Sequence, residues 1–225
     1  MNATTQDDLL AMLKRRRKTA NGVFGIEVRH IDVELFGIEK FFSAFASANV
    51  FFFLWRDNIV AQGLSLYRAV YTGHFHSTDS RAAPPPPYDS DGIKRWMTHL
   101  LHTENRNLQL LAARSKPARF LRYEDILRDP NTTALQFADA LRVDLEPSDS
   151  SEIKSSENKK IADFWNREAE LKFRSQEAEF VLKTEEERLI RRQPGEDGWI
   201  GGNIDPRHTA TIKPTDKAAE PLIDE

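Results

Sequence analysis

The stretch Asn49–Ala69, NVFFFLWRDNIVAQGLSLYRA, decides the fold that the sequence predicts. It opens with an apolar, aromatic-rich run from Val50 to Trp55, which is typical of a strand buried on both faces in a parallel sheet. After the charged turn Arg56-Asp57-Asn58, apolar residues recur from Ile59 to Val70 at the spacing of a helix with one wide apolar face. The stretch therefore predicts a strand, a charged turn and a helix.

The charged turn is also the place where a ligand is expected. In open α/β sheets, ligands bind at the carboxyl ends of strands, beside the amino ends of the following helices. The unpaired N–H groups and the positive dipole end of such a helix suit an anion. Arg56 adds a planar, forked cation whose geometry matches a phosphate. The sequence thus predicts an anion site at this turn.

The composition indicates a globular protein with a real core, since the 225 residues are 40% hydrophobic and 30% charged. The net charge of −3 gives no argument for a nucleic-acid partner or a membrane surface. The absence of cysteine excludes disulfides, thiolate catalysis and cysteine–zinc sites, and it fits a reducing cytoplasm. No segment approaches the ~18 apolar residues of a membrane span, and no secretory signal is visible. We therefore expect a cytoplasmic protein with no nucleic-acid partner and no membrane span.

Three elements are predicted before the central strand. Thr5–Lys18 is predicted as a short helix, because acidic residues lie near its start and basic residues at its end. Val23–Val28 is predicted as a strand, and Ile31–Ala48 as a helix with apolar residues at the spacing of one face. The order strand, helix, strand predicts a right-handed parallel crossover into the central strand.

The chain after the central helix alternates in the same way. Tyr71–Asp91 is long, irregular and proline-rich; a lid over an acceptor site and a disordered surface loop both fit this composition. Asp91–Arg114 is predicted as a long helix, Pro117–Leu121 as a strand and Thr132–Leu141 as an amphipathic helix. This pattern predicts an α/β domain over residues 1–146 with a parallel sheet flanked by helices.

The remaining chain is more polar. Residues 147–193 are predicted as a charged helical extension, in which Ile161–Arg192 forms exposed helices laced with ion pairs that protrude from the core. Residues 194–225 are rich in glycine, proline and charge and are predicted to be poorly ordered. No metal site is predicted, because two imidazoles, His74 and His76, are only a weak signal for one.

Four separate stretches occur in the order found in one known family: NGVFGIEV, WRDNIVAQGLSLYRAVYTG, YDSDGI and RYEDILRDP. From about Asn21 through Val143 the chain resembles the bacterial trehalose-type sulfotransferases, also called the lipopolysaccharide sulfotransferase family. The resemblance implies a P-loop-type α/β fold and 3'-phosphoadenosine-5'-phosphosulfate (PAPS) as the sulfuryl donor. It also implies a hydroxyl of a carbohydrate or glycolipid as the acceptor.

The resemblance assigns roles to individual positions. Arg56 and Ser65 match the arginine and serine that hold the 3'-phosphate, and Tyr123 matches a tyrosine at the adenine. Arg192 and Gln193 resemble an arginine–glutamine pair at the C-terminal edge of the cofactor site.

The spacing of the two phosphate residues sets a geometric condition. Ser65 follows Arg56 by nine residues, which on one helix is about two and a half turns and places them on opposite sides. They can converge only if Arg56 precedes the helix, and we then expect its guanidinium close to the Ser65 hydroxyl. In the alternative, the turn is structural and Ser65 simply packs.

We expect Glu124 and Asp125 to anchor a loop by hydrogen bonds rather than to act as acid or base.

The element that identifies the family best is missing from the match. Family members begin with a strand and a serine- and glycine-rich loop, roughly PRSGSTLL, that cradles the 5'-phosphosulfate, followed by a glutamate that acts as general base. Nothing in Met1–Ala20 resembles either feature. We therefore expect sulfuryl transfer to be impaired or absent, with catalytic residues unknown. The alternative function is a non-catalytic interaction protein with a degenerate fold, which binds a protein partner or itself through residues 161–192.

Overall fold

The computed structural model describes residues 5–16, 18–19, 22–46, 50–75, 84–113, 118–143, 164–191 and 199–200. The chain forms two compact units, Met1–Ala48 and Asn49–Glu225. A boundary after Ala48 was not predicted from the sequence. In chain order the described elements are α1 (Gln6–Arg16), α2 (His30–Phe36), α3 (Ile38–Ala44), β1 (Phe51–Trp55), α4 (Ile59–Thr72), α5 (Ser90–Ala113), β2 (Ala118–Arg122), α6 (Tyr123–Arg128), α7 (Pro130–Leu141), α8 (Phe164–Gln176), α9 (Ala178–Arg191) and β3 (Trp199–Ile200).

A small sheet lies at the centre of the second unit. Strands β1 and β2 pair in parallel, with Phe51 opposite Ala118 and Trp55 opposite Arg122. The short strand β3 pairs antiparallel with the start of β2. Of the three strands that the sequence predicts for a parallel sheet, two are confirmed as a parallel pair, β1 and β2. The second unit is a mixed α/β structure dominated by helices.

Helices cover both faces of this sheet, although incompletely. On one face, Leu108 of α5 packs in a buried cluster with Phe53 and Ala118. On the other face, Phe137 of α7 contacts Phe52, with ring centroids 4.3 Å apart. Leu54 is still 57% exposed, so the prediction that β1 is buried on both faces holds only in part.

The predicted strand over Val23–Val28 is wrong, because residues 22–29 form neither a strand nor a helix. A strand is stable only when a neighbouring strand completes its hydrogen-bond ladder, and among the described residues no strand pairs with residues 22–29. In the first unit the aromatic residue of this segment packs instead of pairing. Phe24 stacks on Phe45, with ring centroids 6.2 Å apart.

The single helix predicted over Ile31–Ala48 is also wrong, since it is broken into α2 and α3. The break lies at Gly37, whose φ of 94° is readily available only to glycine. Gly37 ends α2 and is the N-cap of α3. Across the break, Phe36 of α2 contacts Phe41 of α3 edge to face, with ring centroids 6.2 Å apart.

Helices α4 and α5 form the helical core of the second unit. Their contact is close because Gly63 of α4 faces Met97 of α5, and a Cβ at Gly63 would clash with the Met97 side chain. Ile59, Leu64 and Ile93 are fully buried around this contact. None of the helices within the described ranges is long and apolar enough to cross a membrane.

The predicted helices in Ile161–Arg192 are confirmed as α8 and α9, but the prediction that they protrude from the core is wrong. Phe173 of α8 is fully buried, and Ala169 and Val181 are buried with it in the cluster formed by α4 and α5. Each helix places a narrow face in the core, and most of its charged residues are exposed or half-buried, although Arg188 of α9 is buried. We call α8 and α9 together the C-terminal helix pair.

The burial of the C-terminal helix pair predicts a large effect for one substitution. Phe173→Ala removes a fully buried ring and should lower the free energy of unfolding by ~3–5 kcal/mol, measured by urea denaturation. Leu171→Ala on the same helix is the control, because its side chain is exposed and its loss should cost less than about 0.5 kcal/mol. Equal, small effects of both changes would show that α8 does not share the core.

Candidate anion-binding site

The carboxyl ends of β1 and β2 bring two of the predicted site residues together. Because Trp55 lies opposite Arg122 in the parallel register, the residues that follow them, Arg56 and Tyr123, leave the sheet side by side. The Arg56 Cζ lies 4.9 Å from the centroid of the Tyr123 ring, which is a cation–π contact. Tyr123 is also the first residue of α6, so a helix fixes the position of its ring.

The guanidinium of Arg56 is enclosed but weakly paired. Its side chain is only 20% exposed, and its Nε lies 4.0 Å from the nearest Glu124 carboxylate oxygen. The Nε is buried and makes no hydrogen bond within the described chain. Since a buried donor without a partner costs free energy, this site favours an additional acceptor such as an anion.

The turn that carries Arg56 is anchored to the neighbouring strand end. The Glu124 carboxylate accepts a hydrogen bond from the Asp57 backbone N–H, at 3.1 and 3.2 Å to its two oxygens. The Arg122 guanidinium donates to the Asp57 carboxylate, and this hydrogen bond raises the pKa of Arg122 above its ordinary value. Glu124 therefore has the loop-anchoring role expected from the sequence.

The start of α4 is held by side chains of α8. The Asn58 Oδ1 accepts a hydrogen bond from the Ala61 N–H at 2.9 Å and so caps the helix. The same oxygen accepts from the Arg174 guanidinium at 2.9 Å, and the Asn58 amide donates to Glu170 at 2.7 Å. These contacts fix the positive end of the α4 dipole directly after the Arg56 turn.

Arg174 is itself held by carboxylates on both helices of the C-terminal helix pair. It donates to Glu170 at 3.1 Å and to Glu185 at 3.0 Å. Burial alone would lower the pKa of Arg174, but these hydrogen bonds outweigh it and the pKa is raised. Arg174 therefore remains charged and keeps the helix cap in place.

Arg188 is a residue of this site that the sequence did not predict. Its side chain is only 3% exposed. It donates to the backbone carbonyl oxygens of Arg56 at 2.6 Å and Asp57 at 2.9 Å. A usable signal was present, since Arg188 shares one helix face with the buried Val181 and Thr184. The surrounding run of glutamates and arginines, however, is typical of a solvated helix, and it hides the spacing of positions 181, 184 and 188.

The other predicted site residues are less informative. Ser65 lies on α4, where its hydroxyl donates to the Ala61 carbonyl oxygen at 2.8 Å. Arg56 lies in the turn before α4, as the nine-residue spacing requires, but no hydrogen bond joins its guanidinium to Ser65. Arg192 and Gln193 lie outside the described residues, so their role remains a prediction.

Comparison of the chain with protein-family models, curated proteins and solved structures finds no match. The chemistry of this site therefore depends on its own residues: an enclosed, weakly paired guanidinium, an aromatic ring and the capped start of a helix. Within the described ranges, no group of three or more histidine, aspartate or glutamate side chains comes together to hold a metal ion.

The double role of Asn58 predicts a measurable loss of stability. Asn58→Ala removes the cap of α4 and leaves the Arg174 guanidinium with one acceptor fewer, so the free energy of unfolding should fall by ~1–2 kcal/mol. Asn131→Ala, at an exposed position near the start of α7, is the control and should change it by less than about 0.5 kcal/mol. Thermal denaturation measures both, and indistinguishable melting temperatures would contradict the capping role.

Proposed function

We propose that the chain binds the 3'-phosphoadenosine end of a PAPS-type nucleotide at the carboxyl ends of β1 and β2. The observation that carries this proposal is the enclosed Arg56 guanidinium, whose buried Nε lacks a hydrogen-bond partner in the described chain. A doubly charged phosphate is the natural acceptor for a forked cation. The proposal agrees with the role that the family resemblance gives to this arginine.

The surroundings of Arg56 fit a nucleotide better than a free anion. Tyr123 places an aromatic ring beside the guanidinium, and such a ring offers a stacking surface for adenine. The first N–H groups of α4 follow Arg56 closely in the chain and favour negative charge. The phosphate is therefore assigned to Arg56 and the base to Tyr123.

Ser65 has a smaller part in this proposal. Its hydroxyl already donates to the Ala61 carbonyl oxygen, so it must turn away from that partner before it can donate to a phosphate. A hydroxyl that exchanges one acceptor for another gains little free energy. We expect Ser65 to adjust affinity rather than to determine it.

The family resemblance extends the proposal from binding to a reaction class, which is sulfuryl transfer to a hydroxyl of a carbohydrate or glycolipid. In that reaction the bond from sulfur to the phosphate oxygen breaks, a bond to the acceptor oxygen forms, and a base takes the hydroxyl proton. We assign no described residue as that base, and we propose that sulfuryl transfer by this chain is weak or absent. A P-loop-type sheet, of which β1 and β2 would be two strands, belongs to the same proposal.

The phosphate assignment predicts a selective loss of affinity. Arg56→Ala should weaken binding of adenosine 3',5'-bisphosphate by ~1.5–3 kcal/mol, which is about 10- to 150-fold, because a charge-assisted hydrogen bond is lost. Binding of adenosine 5'-monophosphate, which lacks the 3'-phosphate, should change much less. Ser65→Ala should weaken binding of the bisphosphate less than Arg56→Ala does. Isothermal titration calorimetry with both nucleotides measures these differences.

The control for this experiment is Arg128→Ala, which removes an exposed arginine from the neighbouring helix α6 and should leave both affinities unchanged. Equal losses for the two nucleotides in Arg56→Ala would mean that Arg56 supports the fold rather than the phosphate. No binding of the bisphosphate to the wild-type chain would overturn the proposed function itself.

A second candidate function is supported by the outer surface of the C-terminal helix pair. Leu171, Leu182 and Leu189 are exposed there, while the inner face is occupied by the core. Under this candidate, the outer face binds a protein partner or a second copy, and the nucleotide site is idle. A purified chain that shows no thermal shift with adenosine 3',5'-bisphosphate but forms a stable protein complex would favour it.

A further inference from the structure

The turn that carries Arg56 is held from a distant part of the chain. Arg188 of α9 donates from its Nη2 to the Arg56 carbonyl oxygen at 2.6 Å. It donates from its Nη1 to the Asp57 carbonyl oxygen at 2.9 Å. Two successive peptide groups of the turn are thus bound by one guanidinium, and their orientation sets the direction in which the Arg56 side chain leaves the backbone.

Arg188 is in turn fixed by α5. The Glu104 carboxylate accepts from the Arg188 Nη2 at 2.8 Å and from its Nε at 3.1 Å. Both side chains are largely buried, so water does not compete for these bonds. A forked pair of this kind has one favoured orientation, and Arg188 therefore has little freedom to follow the turn if the turn moves.

We propose that Arg188 is a positioning residue for the anion site and that docking of α9 is thermodynamically coupled to binding of a 3'-phosphate by Arg56. This inference rests on the proposed function. When α9 is docked, the Arg56 turn is held in the arrangement that presents its guanidinium beside Tyr123. When α9 is released, the two carbonyl groups lose their donor and the turn is free to rearrange. Because such coupling is reciprocal, a bound 3'-phosphate must favour the docked position of α9.

The chain offers a matched pair of substitutions on α9. Arg188→Lys keeps the positive charge but replaces the planar fork by a single ammonium group, which cannot hold Glu104 and both carbonyls in the same geometry. Arg191→Lys is the control. Arg191 is also enclosed, at 11% exposure, and it donates to Asn105 of α5 at 2.7 Å, but it makes no bond to the turn. Both changes therefore weaken the contact of α9 with α5, but only Arg188→Lys also alters the hydrogen bonds to the turn that carries Arg56.

Calorimetry on the full chain tests the proposal with adenosine 3',5'-bisphosphate and adenosine 5'-monophosphate as probes. Arg188→Lys should weaken binding of the bisphosphate by about threefold to tenfold, a part of the loss expected for removing Arg56 itself. Binding of the monophosphate should change by less than about twofold. Arg191→Lys should leave both affinities unchanged. Chemical denaturation of the two variants shows whether their stabilities are comparable.

The outcomes separate this inference from the proposed function. Suppose that wild type binds the bisphosphate and that Arg56→Ala loses this binding selectively. If Arg188→Lys then shows no such loss, the positioning role of Arg188 is overturned, while the phosphate site stands. If Arg56→Ala shows no selective loss, the proposed function fails and this inference fails with it. Equal losses in Arg188→Lys and Arg191→Lys would mean that general loosening of α9, and not the turn, is responsible.

Amide hydrogen exchange on the wild-type chain gives a second test that does not require Arg188→Lys to fold. Adding adenosine 3',5'-bisphosphate should slow exchange in the last two turns of α9, which include Arg188, and adenosine 5'-monophosphate should do so less. Unchanged exchange in α9, while the start of α4 becomes protected, would overturn the coupling.

Discussion

The guanidinium of Arg188 lies between the Glu104 carboxylate and two carbonyl groups of the turn that carries Arg56, and it links this turn to α5 and α9. A buried ion pair of this kind adds little stability compared with apolar residues of the same size, since desolvation offsets most of the attraction. Its effect is geometric, because breaking either side leaves a buried charge or an unpaired carbonyl. The hydrogen bonds of Arg188 thus connect α5, α9 and the residues that follow β1.

These contacts give the C-terminal helix pair a role in supporting the candidate site. Helices that are charged along most of their length would ordinarily be an appendage on the surface, but here Phe173 and Val181 lie in the same core as α4 and α5. Arg174 and Arg188 extend from that buried face to Asn58 and to the Arg56 turn. The candidate site is therefore built from α4, β1 and β2 together with the C-terminal helix pair, and a chain without the helix pair would lack these contacts to the Arg56 turn.

Sequence reasoning succeeded where the pattern was local and strong. The apolar run of β1, the helical periodicity of α4 and α5 and the strand β2 each follow from residues within one segment. It failed for Val23–Val28, because strand formation depends on a partner that the local pattern does not contain. It predicted the helices of the C-terminal helix pair but not their burial, because the buried face of α9 includes Thr184 and Arg188, two polar residues that resemble a solvated face. Arg56 and Tyr123 follow the ends of two strands that the sequence predicts for one parallel sheet, so their proximity was within reach of the sequence, whereas the contacts of Arg188 required the fold.

The central claim is that Arg56, positioned by Arg188, binds the 3'-phosphate of an adenosine nucleotide. A crystal structure of the chain with adenosine 3',5'-bisphosphate tests it most directly. We expect the 3'-phosphate within hydrogen-bonding distance of the Arg56 guanidinium, the adenine next to Tyr123, and Arg188 still bonded to the carbonyl oxygens of Arg56 and Asp57. A nucleotide bound elsewhere, or a 3'-phosphate bound at this edge without Arg56, would contradict it.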